Sequence, residues 1–154
     1  RRIREAVRAV KGDAEISINT LPFFADDFDR CVTEVFGQDP RALAEVVDIF
    51  EVMAYHQIMG REAEWPANVA TDIRERSGAA AICTVQAKAL YLEGMHAGRG
   101  RSPVIDAPEF GRMIDAVAKS PVEGLCVFTL NDLISMRDTS EGAAILDRLS
   151  QFRR

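Results

Sequence analysis

Hydrophobic and polar positions change period several times along this chain. Ile3, Ala6, Val7 and Val10 recur at helical spacing and Gly12 follows, which predicts a helix over residues 1–10. Over residues 14–23, "AEISINTLPF", the period drops to two. Ile16 and Ile18 point one way, Glu15, Ser17 and Asn19 the other, and Pro22 ends what reads as a strand. Pro40 opens a helix over 40–47, and "VVDIFEVMAYHQ", residues 46–57, is the second strand. A helix over 66–76 ends at Ser77-Gly78, and "AAAICTVQAKALYL", residues 79–92, is the third strand. Residues 107–120 read as a helix, "VEGLCVFTLNDLI" over 122–134 as a fourth strand, and Thr139 or Ser140 as the cap of a last helix through Phe152.

Helices and strands therefore alternate strictly, which implies a mostly parallel sheet built from right-handed βαβ units. Two architectures satisfy that order: an open doubly wound sheet, or half of a (β/α)8 barrel of TIM type. Strands covered by helices on both faces read as near-continuous apolar runs. These strands do not. Ser17 and Asn19, then Glu51, Met53, Tyr55 and Gln57, then Thr84, Gln86 and Lys88 form polar stripes opposite Ile16 and Ile18, then Phe50, Val52 and Ala54, then Cys83, Val85 and Ala87. One apolar and one polar face fits a barrel strand, whose polar side points inward. The expected fold is thus α/β, with four βα units matching the C-terminal half of a (β/α)8 barrel, and 1–154 forming one domain, a fragment of a larger barrel.

Composition narrows the function classes. Acidic residues outnumber basic ones to a net charge of -5, and the arginines are scattered, so no stripe for a nucleic-acid backbone exists. "GRGRS", residues 98–102, reads as a solvated loop or a weak anion site. Cys31, Cys83 and Cys126 are far apart and lack metal-ligand spacing, so buried free thiols are expected, with no metal, no cofactor and a lean toward a reducing, cytoplasmic compartment. No apolar run reaches the length of a bilayer span, so a soluble chain with no membrane partner is expected. It opens without methionine inside a helical pattern, as a piece of something longer would.

"VDIFEVMAYH" resembles the sixth strand of chitinase-like, family 18 type glycoside hydrolases: Asp48, Met53 and Tyr55 match, and His56 replaces the usual Asp or Asn. "GLCVFTLNDLI" is similar to that family's eighth strand, with Phe128 where a tryptophan commonly stands and Asp132 at the following acidic position. The resemblance covers most of the chain loosely and only the Met-x-Tyr strand is specific. It implies a glycosidase acting on, or binding, carbohydrate at the carboxyl ends of the strands. The family's carboxylate motif belongs to a strand that would precede Arg1, so the general acid has no counterpart here. The resemblance implies that Tyr55 hydrogen-bonds the reacting sugar; the residue pattern equally allows a core tyrosine.

Other candidates come from pattern. Gln86 and Lys88 end the third strand, where a lysine can bind an anion or, desolvated, form a Schiff base. Asp26 and Asp27 follow the first strand as a candidate carboxylate pair, with Asp26 the catalytic candidate, or as helix caps. Asn19, Gln57, Phe128 and Asp132 fall at or near strand ends as substrate-binding candidates, and Trp65 would stack on a sugar if exposed or pack if buried. His56 points toward the helices and reads as a satisfied structural histidine; Glu51 is expected to pair with Lys88 or an amide. The functions left open are a glycoside hydrolase, a non-catalytic sugar- or protein-binding barrel, and a lyase or aldolase using Lys88. Two unpaired strand edges would call for a missing N-terminal half-barrel or a second copy.

Overall fold

A computed structural model describes residues 1–88 and 105–152. Within them run α1 (Arg2–Val10), β1 (Ser17–Thr20), α2 (Cys31–Glu34), α3 (Pro40–Ala44), β2 (Ile49–Met53), α4 (Trp65–Ser77), β3 (Ala80–Gln86), α5 (Ala107–Lys119), β4 (Gly124–Phe128), α6 (Leu130–Met136) and α7 (Ser140–Ser150). The four strands form one parallel sheet in the order β1-β2-β3-β4. Each crossover thus moves to the adjacent strand in the same direction, with none of the reversal that defines a doubly wound sheet. The chain is mixed α/β with helices between parallel strands; barrel closure goes beyond these four strands.

Register decides which side chains share a face. Phe50 pairs with Ala81 and Val52 with Cys83, and all four are fully buried. This face meets Val69, Ala70 and Ile73 of α4 and Phe110, Met113, Ile114 and Val117 of α5 in one core, joined by Ile145 of α7. Burying a side chain of this size is worth roughly 1.5–3 kcal/mol, so the helix-covered face carries most of the fold's stability. The other face carries Ser17 and Asn19, Glu51 and Met53, Ile82, Thr84 and Gln86, and Cys126 and Phe128. Of these, Ser17, Asn19 and Phe128 are exposed while Thr84 and Gln86 are buried.

At the amino ends of the strands the same device occurs twice. The Asp48 N–H donates to the Ile16 carbonyl while its carboxylate accepts from the Ile16 N–H at 2.9 Å and from Arg4 and Arg8. The Glu123 N–H likewise donates to the Ala81 carbonyl while its carboxylate accepts from the Ala81 N–H at 2.7 Å and from Arg74. Asp48, one of the residues carrying the family resemblance, is thus a clamp joining α1 and β1 to β2. The Ile16 N–H, with help from Arg4 and Arg8, holds its carboxyl below the ordinary range against the upward push of burial. Burial pushes the Glu123 carboxyl up, but the Ala81 N–H and Arg74 outweigh it and the net shift is downward.

Several boundaries differ from the sequence expectation. The first two strands are shorter, and the 40–47 helix stops at Ala44. The fourth strand ends at Phe128 because the Thr129 hydroxyl accepts from the Asp132 N–H and starts α6, so the apolar run over 130–134 is helical. The third strand ends at Gln86, and residues 89–92 of its expected range lie outside the described residues, as does "GRGRS". Gly78 ends α4 at φ 68°, the left-handed C-cap that glycine supplies. Three later helices are capped by their own N-cap side chains: Asp106 on α5, Thr129 on α6 and Thr139 on α7, and Asp39 does the same for α3.

Candidate functional site

The carboxyl ends of β2, β3 and β4 bring three predicted residues together. Gln86 pairs in register with Phe128, and Tyr55, two residues past the Met53–Thr84 pair, reaches the same end of the sheet. The Tyr55 and Phe128 rings lie with centroids 5.6 Å apart at 31°, and Phe128 is 44% exposed. Gln86 is fully buried; its amide donates to the Lys88 carbonyl at 2.9 Å, and its own Oε1 has no hydrogen-bond partner among the described residues. An acceptor left unpaired in a buried place costs about 1–3 kcal/mol. A ligand N–H or O–H, or water, reaching that oxygen would recover this cost.

Around this trio stands a second network. The His56 ring is fully buried and its Nε2 lies 2.7 Å from Glu109 Oε1. The Gln57 amide donates to both oxygens of the same carboxylate at 3.4 and 3.3 Å. Glu109 occupies the first turn of α5, where its own N–H donates to Asp106 Oδ1 at 2.7 Å. His56 thus faces the helices and is hydrogen-bonded, as a structural histidine should be. Glu109 went unrecognised in the sequence. Its signal was the Asp106-x-x-Glu109 spacing of a capping box, a pattern that speaks of helix starts and not of a partner 53 residues away.

Deeper along the same face, the Thr84 hydroxyl donates to Glu51 Oε1 at 3.0 Å. Glu51 therefore pairs with Thr84 and not with Lys88, which is exposed at the end of β3. The neighbouring Cys126 thiol is pushed up, first by burial and then by the Glu51 charge. Asn19 pairs in register with Glu51 but is exposed, below the level of the strand ends.

The other candidates lie apart. Asp26 is exposed in the turns between β1 and α2. Asp132 sits in the first turn of α6, where its carboxylate accepts from the Thr129 hydroxyl at 2.8 Å as half of a reciprocal cap. Trp65 is packed into the core at 7% exposure with the Arg61 guanidinium 5.9 Å from its ring, so it offers no open face for a sugar. Among the described residues no three His, Cys, Asp or Glu side chains gather as a metal site would require. No described helix is long and apolar enough to cross a membrane.

The arrangement offers an aromatic pair with one ring exposed, a fully buried acceptor and a tethered turn; the rings can stack on a flat ligand, and the acceptor becomes available to a hydroxyl only where the site opens. Hydrolysis of a glycosidic bond needs two carboxylates flanking it, and neither Asp26 nor Asp132 stands free at the strand ends. No family model matches the sequence, and no curated protein matches it either.

Proposed function

We propose that the carboxyl ends of β2, β3 and β4 bind carbohydrate, within a glycoside-hydrolase-like barrel of which these four βα units form one half. The observation that carries this reading is the buried carbonyl of Gln86, without a partner among the described residues, beside the Tyr55–Phe128 ring pair. A sugar presents what that pair of features selects: an apolar ring face for stacking and hydroxyls for an acceptor. The one-way strand order and the confinement of the sheet's apolar core to one face support a barrel, whose sites open at strand ends. β1 and β4 each keep one side unpaired within this four-stranded sheet, and further strands, from an N-terminal half-barrel or from a second copy, would fill them.

Hydrolysis then depends on carboxylates beyond those described here. The binding of a glycan without cleavage is the second reading, favoured by the capping role of Asp132 and the remoteness of Asp26. A Schiff-base lyase draws on a desolvated lysine, and the exposure of Lys88 gives that chemistry no support.

Calorimetric titration with chito-oligosaccharides and with neutral glucans tests the proposal. The protein binds one of these, Phe128→Ala weakens binding roughly tenfold through lost stacking, and Gln86→Leu weakens it by a similar factor. Absence of binding to either glycan class, or equal binding by all three proteins, would defeat the proposal.

A further inference from the structure

We infer that Glu109 is a positioning residue for the strand-end site: acting from the helix layer through His56 and Gln57, it sets the orientation of Tyr55 beside Gln86. The inference rests on the proposed carbohydrate site for its ligand, and on contacts within the chain for its geometry. Tyr55, His56 and Gln57 are consecutive and lie just past the end of β2, where the chain leaves the ladder for a turn whose backbone is closed by Met59 N–H to the Tyr55 carbonyl at 3.1 Å and Arg61 N–H to the His56 carbonyl at 2.8 Å. In such a turn the backbone leaves side-chain direction to the contacts each residue makes. The Tyr55 ring meets Phe128 on the polar face of the sheet, and the His56 ring meets Glu109 of α5 and is fully buried.

A fully buried imidazole held at 2.7 Å by a carboxylate cannot swing without losing its charge-assisted hydrogen bond. Gln57 adds two longer contacts to the same carboxylate. Glu109 is itself anchored, since its N–H is fixed by Asp106 Oδ1 in the capped first turn of α5, and its side chain is 19% exposed. In an ordinary capping box a glutamate at this position reaches back to the N-cap N–H. Here it bridges to another element, and the capping geometry serves to aim it. Supports of this kind decide whether a site is tight or about 1 Å too loose to function.

The test compares Glu109→Ala and Glu109→Gln with Glu123→Ala, a control that breaks a clamp at the opposite end of the sheet. All are made in a Tyr91→Phe background, so that Tyr55 is the one tyrosine left to give a ring signal in 1H–13C NMR. Glu109→Ala shifts or broadens that signal and weakens oligosaccharide binding by about tenfold or more, the size expected when a charged hydrogen bond is lost. Glu109→Gln, whose amide oxygen still accepts from His56, restores both to within about threefold of the parent affinity. Glu123→Ala loses stability yet leaves ring signal and affinity unchanged. An unmoved Tyr55 signal in Glu109→Ala, or the same displacement in Glu123→Ala, overturns the inference. If the parent binds no oligosaccharide, the carbohydrate reading falls while the ring signal still decides the positioning. If Glu109→Ala does not fold, Gln57→Leu removes the two longer contacts, and a Tyr55 signal indifferent to that change also overturns it.

Discussion

The two ends of this sheet are built on opposite principles. At the amino ends Asp48 and Glu123 each close a backbone N–H, a backbone carbonyl and at least one arginine into a paired unit. At the carboxyl ends Gln86 is buried with an acceptor left open among the described residues, beneath two aromatic rings, one of them 44% exposed. One end spends its polar groups on holding neighbouring strands together; the other holds them in readiness. In the barrel proposed above, that division would put stability at the amino face and the binding site at the carboxyl face.

The sharpest way to break that contrast is to remove the clamps. Asp48→Ala or Glu123→Ala strands a backbone N–H and each should cost about 1–3 kcal/mol in urea unfolding, with the double variant near the sum because the sites do not share partners. Losses below a few tenths would show the amino end to be no more than decorated. Next in size is the response to acid. Both carboxyls lie below their ordinary values in the folded protein, so their stabilisation is complete above the ordinary carboxylate range. It drains away as pH falls through the depressed values. Unfolding midpoints of the parent and of Asp48→Asn with Glu123→Gln should therefore differ at pH 7 and converge toward pH 3; curves that stay parallel would contradict the clamp.

The carboxyl end predicts a smaller change. Replacing Gln86 with leucine removes the unpaired acceptor but also the amide bond to the Lys88 carbonyl, so the two changes should nearly cancel and stability should move by no more than about 1 kcal/mol; a larger loss would mean that the oxygen is already satisfied. The smallest effect concerns thiols on the two faces of the sheet. Burial pushes Cys83 up to about 12, so it should react with a thiol reagent no faster than the protein unfolds. Cys126 should react slowly in the folded state, and Glu51→Gln, which removes the charge raising it, should speed that reaction; a rate unaffected by Glu51 would separate the two groups.

How much of this was legible in the sequence follows the same division. Alternation of elements, parallel pairing and the assignment of Phe50, Val52, Cys83 and Val85 to the covered face follow from period-two patterning, because burial and pleat act on every residue of a strand alike. The strand ends were harder. Thr129-x-x-Asp132 is a capping signature, yet it lies inside an apolar run that reads equally as strand. Trp65 shows no sign in the sequence of which way its ring faces, since Pro66 and a helix start fit either outcome. The Glu109–His56 contact and the Asp48 and Glu123 clamps join residues 32–53 positions apart. Local spacing carries no information about such pairs; only the register of the sheet brings them together.

Three of the helices around this sheet, α3, α5 and α6, begin on caps of their own: Asp39, Asp106 and Thr129 each satisfy their helix's first turn from within. A helix that starts itself does not rely on the connecting segment before it. The connection from α2 to Asp39, held to the end of β1 through Gln38, could then vary in length without unravelling α3 itself. Change would fall on the joint while the frame on either side stays fixed.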